Sequence, residues 1–131
     1  MMSKYIQGKN VNYMISEICK MVCKKVEGKL TVVGIKTGGE YISKIFADMV
    51  QDQGRLQSHF NIELDKQSEL IIEGADLLVN DKSTYIILDD AIWSERTKRI
   101  VESELKLRHI KKVKYAVILD PYKKADFSLY S

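Results

Sequence analysis

The chain has 131 residues, 45% of them hydrophobic and 30% charged, with seven Gly, one Pro, two Cys and a formal net charge of +3. That length suits a single domain over residues 1–131, because two halves would each be too small for a good core. The apolar content excludes a disordered tail, and runs such as Tyr85–Leu88 and Tyr115–Leu119 are too short to span a bilayer. The start, MMSKYIQGKN, lacks the apolar stretch of a secretory signal, so a soluble cytoplasmic domain without membrane contact is expected.

Asn10 reads as an N-cap, and Val11, Met14, Ile15, Ile18, Cys19, Val22 and Val26 follow at helical spacing to a C-terminal Gly28. Leu30–Ile35 is a short, nearly all-apolar run, the pattern of a strand buried on both faces. Lys36-Thr37-Gly38-Gly39 breaks it, and Tyr41, Ile42, Ile45, Phe46, Met49 and Val50 then form a helical stripe ending before Gly54. Leu56–Leu64 alternates apolar and polar residues like a half-buried strand. Leu70-Ile71-Ile72 and Leu77-Leu78-Val79 are candidate short strands, with Asp65, Lys66 and Glu69 on a turn or shortened lid before them.

Thr84–Leu88 is a second buried strand, running into Asp89-Asp90. The loop Ala91–Arg96 leads to a helix expected from Thr97 to about Arg108. Val113–Leu119 is a third buried strand, and Ala125–Tyr130 offers a short edge strand. Buried strands alternating with amphipathic helices predict one doubly wound, mostly parallel α/β sheet with helices on both faces. In such sheets a ligand sits beyond the carboxyl ends of the strands, where strand order reverses. The loops Lys36–Gly39 and Asp89–Thr97 are therefore the candidate site.

Cys19 and Cys23 are spaced to share one helix face, which suits core packing better than a disulfide or a zinc site, and His59 and His109 read as surface residues. Between Arg96 and Lys124 there are ten Lys or Arg against three acids, a face that suits solvent or an anionic partner such as RNA.

The second loop pairs adjacent acids with hydroxyls at a helix start. A helix N-terminus favours a phosphate, to which Ser94 and Thr97 add donors and Arg96 a charge. Asp89 and Asp90 would repel that phosphate but suit sugar hydroxyls, so the combination describes a ribose 5-phosphate. Read alone, the same residues are a polar strand end and an ordinary cap. In the first loop Gly38 and Gly39 permit close backbone approach and Lys36 supplies a point charge, without the spacing of a Walker loop or a dinucleotide fingerprint.

Together these segments resemble the type I phosphoribosyltransferases. Ile86-Ile87-Leu88-Asp89-Asp90 followed by Ser94-Glu95-Arg96-Thr97 is similar to that family's apolar strand, two acids and Thr-Gly-x-Thr. Gly34-Ile35-Lys36-Thr37-Gly38-Gly39 resembles the G-I-K-T-R-G of the pyrimidine operon regulator/uracil phosphoribosyltransferase subgroup, which also has an aromatic residue at Trp93 and an Arg at Arg96. The resemblance runs from about Leu30 to Phe127.

It implies that Asp89 and Asp90 hold the ribose diol of phosphoribosyl pyrophosphate, with Asp90 the candidate catalytic residue. Ser94, Glu95, Arg96 and Thr97 would wrap the 5-phosphate. Lys36, Thr37, Gly38 and Gly39 would contact the pyrophosphate, and Trp93 and Asp120 the base. Mg²⁺ would arrive with the substrate rather than in a protein cage, and a homodimer is implied. The implied activity is transfer of ribose 5-phosphate to a small nitrogenous base, a pyrimidine by the subgroup. Glu95 stands in place of the motif's Gly and Gly38 in place of its Arg, and little length remains for a flexible loop or a base-covering hood. These departures point to the alternative, a catalytically degenerate regulator that binds phosphoribosyl pyrophosphate or a nucleotide and interacts with RNA.

Overall fold

The computed structural model describes residues 11–36, 38–89, 94–120 and 123–130. Asn10, Thr37, Asp90 and Trp93 lie outside them. The elements are α1 (Val11–Lys25), β1 (Leu30–Lys36), α2 (Gly39–Asp52), β2 (Leu56–Asp65), β3 (Leu70–Glu73), β4 (Thr84–Leu88), α3 (Glu95–Leu107), β5 (Val113–Leu119) and β6 (Phe127–Tyr130). One sheet takes all six strands in the order β3-β2-β1-β4-β5-β6, with only the β2–β3 pair antiparallel.

The apolar runs of β1 and β4 make them the two central strands, and the pleat divides their side chains between two cores. Leu30, Val32, Ile86, Leu88, Ala116 and Ile118 face α1 and α2, packing on Ile15, Ile18, Phe46 and Val50. Val33, Ile35, Tyr85, Ile87 and Val117 face α3 and meet its Val101 and Leu105. The helices therefore lie two on one face and one on the other, as the doubly wound pattern predicts. No helix among the described residues is long and apolar enough to cross a membrane.

Four expectations need correction. Helix α3 begins at Glu95 instead of Thr97, because the Ser94 side chain accepts a hydrogen bond from the Thr97 amide and takes the cap. Leu77-Leu78-Val79 is no strand. A 3₁₀ turn over Ala75–Leu77, entered through Gly74 at φ 86, instead tucks Leu78 into the core. The segment 125–126 precedes β6, where the Asp126 amide and carboxylate bond the main chain of Tyr115. His59 is half-buried beneath α2, with its Nε2 3.1 Å from Ser43 Oγ. His109 is exposed, as expected.

The cysteines pack as the spacing predicts. Cys19 is buried and Cys23 partly so, their sulfurs are 3.9 Å apart, and burial pushes the Cys19 thiol up to about 12, with Cys23 adding to the shift. Gly34, in the middle of β1, has a packing reason: a Cβ there would stand 2.3 Å from Ser43 Oγ and 2.5 Å from Asn61 Oδ1. Without it α2 could not lie so close to the sheet.

Candidate functional site at the β1–β4 switch point

From β1 the chain crosses outward to β2, and from β4 it crosses the other way to β5. The carboxyl ends of β1 and β4 therefore flank the point of reversal, where a crevice opens. Gly38 sits there at φ 111 as the residue before α2, a conformation that disfavours any side chain, and its amide donates to Glu40 Oε1 at 2.5 Å. Gly39 comes so close to β4 that a Cβ would stand 2.8 Å from the Leu88 carbonyl oxygen and 3.4 Å from Asp89 Cα. The second glycine thus serves contact between the two loops.

Asp89 follows β4 directly, half-buried, with its amide donating to the Ala116 carbonyl at 3.3 Å. Across the interval 90–93 the chain resumes at Ser94. Its Oγ accepts from the Thr97 amide at 3.1 Å and donates to Thr97 Oγ1 at 2.8 Å. Thr97 is buried, so both predicted hydroxyls stand at the helix start, locked to each other. Glu95 carries an exposed carboxylate, but Lys124 binds it at 2.8 Å and holds it below the usual carboxylate range. Its charge beside the helix N-terminus is offset.

The cations of the site are already engaged. Lys36 Nζ lies 2.6 Å from Glu73 Oε1, a contact that raises the Lys36 pKa. Arg96 donates to the Lys66 carbonyl and has its Nε 3.5 Å from Glu69 Oε1, which also holds Arg99 at 2.9 Å. The β2–β3 hairpin therefore reaches from the carboxyl end of β2 to the first turns of α3. Asp65 shapes its tip, accepting from the Gln67 amide at 3.1 Å and Ser68 Oγ at 2.9 Å, bonds that lower its pKa.

Glu73 is the participant that sequence reading missed, and Glu69, read only as a turn or lid residue, turns out to hold Arg96 and Arg99. The available signal was an Asp followed by Ser three residues on, which marks a tight turn but not where its acids point.

Asp120 is buried, and its carboxylate accepts from the amides of Lys124 and Ala125, each at 2.9 Å. It builds the turn that carries Lys124 to Glu95. Lys36, Gly38, Gly39, Asp89 and the Ser94–Thr97 turn thus stand at the carboxyl-terminal edge of the sheet, with Gly39 against Leu88 and Asp89.

No family model matches the chain, and no curated protein matches it by sequence. Solved structures do match. A hypoxanthine-guanine phosphoribosyltransferase from Bacillus anthracis superposes with a TM-score of 0.71 at 14% identity, over 92% of this chain and 75% of that one. A hypoxanthine phosphoribosyltransferase from Staphylococcus aureus gives 0.71 at 17%, over 92% and 72%. A purine phosphoribosyltransferase from Pyrococcus horikoshii gives 0.68 at 15%, over 100% and 85%.

The fold is that of the type I phosphoribosyltransferases. These neighbours are purine enzymes by name, and identities this low speak to the fold alone.

Members of this fold typically use Mg²⁺ with phosphoribosyl pyrophosphate. Among the described residues no three His, Cys, Asp or Glu side chains cluster to cage a metal. One half-buried carboxylate, Asp89, at the edge of the crevice fits a cation delivered on a diphosphate, which supplies most of the oxygen ligands itself.

Proposed function

We propose that the β1–β4 crevice binds phosphoribosyl pyrophosphate and that the chain transfers its ribose 5-phosphate to a small nitrogenous base. The observation that supports this reading is the close approach of Gly39 to Leu88 and Asp89, which sets the glycine loop against the acid that precedes the capped helix start. The amides at the start of α3, with the Ser94 and Thr97 hydroxyls, receive the 5-phosphate, and Glu95 stays bound to Lys124. Asp89, with Asp90, accepts from the ribose hydroxyls. Lys36 and the main chain of Thr37–Gly39 face the pyrophosphate. The base is met by Trp93, while Asp120, buried and bonded to the Lys124 and Ala125 amides, shapes the turn after β5.

In the reaction the bond from C1′ to the pyrophosphate oxygen breaks, its electron pair leaving with pyrophosphate. The base nitrogen bonds to C1′ and gives up its proton to the departing pyrophosphate or to solvent. Asp89 and Asp90 stabilise the positive charge that develops on the sugar, while Lys36 and the loop amides receive the leaving group. Bound Mg²⁺ supplies charge neutralisation for the diphosphate. The G-I-K-T-like loop at Gly34–Gly39 favours a pyrimidine acceptor. A cytoplasmic homodimer is part of this proposal.

The test is pyrophosphate release from Mg²⁺–phosphoribosyl pyrophosphate with a panel of pyrimidine and purine bases. Base-dependent release, lost in Asp90→Asn, supports transfer; no release with any base refutes it.

One observation favours a second reading. The Glu69 and Glu73 carboxylates occupy Lys36, Arg96 and Arg99, and the hairpin turn is only residues 66–69. A binding protein that regulates a partner, RNA included, accounts for that arrangement. It predicts ligand binding without turnover, and RNA affinity that falls steeply with salt.

A further inference from the structure

At the opposite end of the sheet, the second half of α3 and the start of β5 border a cavity of about 530 Å³. The central strands are parallel, so Val113 opens β5 at the amino-terminal edge, whereas Gly39 and Asp89 lie at the carboxyl-terminal edge. The floor is apolar, formed by Leu105, Ile110, Val113 and Tyr115, and all but Val113 are buried. A neighbouring cavity of about 260 Å³ shares His109, Ile110 and Lys111 with the first.

Arg99, Lys106 and Lys111 line the larger space, and Lys82 and Lys112 the smaller. Among the described residues Glu102 is the lone carboxylate lining either. Among the described residues the four lysines make no ion pair, whereas Arg99 is held by Glu69 and Glu102 lies 3.9 Å from Lys98. The carboxyl end of α3 would ordinarily oppose an anion here. Three carbonyls of its last turn are already used: the amides of Arg108, His109 and Ile110 donate to Glu104, Lys106 and Leu105. His109 holds the left-handed conformation after the helix, at φ 60, where glycine is usual, and it lines both cavities.

We propose that this double cavity binds an anion built on a flat aromatic body, of mononucleotide size. The larger volume falls in the range of small-molecule sites. Its apolar floor suits a ring, and unpaired lysines around a concavity suit phosphate oxygens. A merely solvated helix face would need no such floor. The proposal does not depend on the function assigned to the β1–β4 crevice.

The test is titration of adenosine and uridine monophosphates into the full chain, followed by amide NMR, with inorganic phosphate and a short single-stranded RNA as comparison probes. The expected result is shifts centred on His109, Lys111 and Val113 that persist in Asp89→Asn. Lys106→Glu/Lys111→Glu should weaken binding by roughly tenfold or more. Val113→Trp, which fills the floor and leaves every charge in place, should do the same. If Val113→Trp fails to fold, the surface lysine variant and the position of the shifts decide alone. Shifts confined to Gly38, Asp89 and Ser94–Thr97 would overturn the proposal. So would inorganic phosphate binding as tightly as the nucleotides, or RNA binding alone that the variants leave unchanged.

Discussion

Gly39, Asp120 and His59 each carry a consequence that a single substitution exposes. A methyl group at Gly39 meets the Leu88 carbonyl at 2.8 Å, main chain that cannot swing aside. Gly39→Ala should therefore cost about 1–3 kcal/mol, read as a lower urea midpoint, and should weaken any ligand spanning both loops. Asp120→Ala strips acceptors from the partly buried amides of Lys124 and Ala125, and a loss of about 1–2 kcal/mol is expected by the same measurement. Burial beneath α2 lowers the His59 pKa below its ordinary 6.5. The unfolded chain then takes up a proton before the folded one does. Stability is present in full above about pH 6.5 and is lost as pH falls through the folded value. Urea midpoints should decline over that interval, and His59→Gln should flatten the decline.

At the scale of elements, the β2–β3 hairpin matters most to the site. Its Glu69 and Glu73 compete with any ligand phosphate for Lys36 and Arg96, through exposed pairs that are individually weak. Glu69→Gln/Glu73→Gln should raise affinity for inorganic pyrophosphate by roughly two- to fivefold at low salt, with a steeper salt dependence than wild type. Unchanged affinity would mean that the hairpin carboxylates do not guard the crevice. These pairings were not legible in the sequence, because no local pattern says which distant cation an acid on a tight turn will meet. The helix start at Ser94 was misplaced for a related reason. Ser94 and Thr97 are both good caps, and the choice rests on Thr97 being buried.

Across the whole molecule, the architecture followed from pattern. Apolar runs at Leu30–Ile35, Thr84–Leu88 and Val113–Leu119 could only be strands covered on both faces, and that fixes helices on two sides and a switch point between β1 and β4. The switch point in turn marked the loops Lys36–Gly39 and Asp89–Thr97 as the candidate site. Less legible was any role for the far end of the sheet, because Lys82, Lys106, Lys111 and Lys112 converge only after folding. Helix α3 joins the two ends: its first turn borders the crevice and its last turns border the cationic cavity.

On the proposed function, the β1–β4 crevice holds a ribose 5-phosphate bearing a diphosphate. Calorimetric titration of Mg²⁺–phosphoribosyl pyrophosphate into wild type and Asp89→Asn tests it most directly. Saturable binding to wild type, weakened at least roughly tenfold in a variant that folds normally, is the expected result. Absence of binding to wild type at millimolar ligand, or equal binding to both proteins, would contradict it.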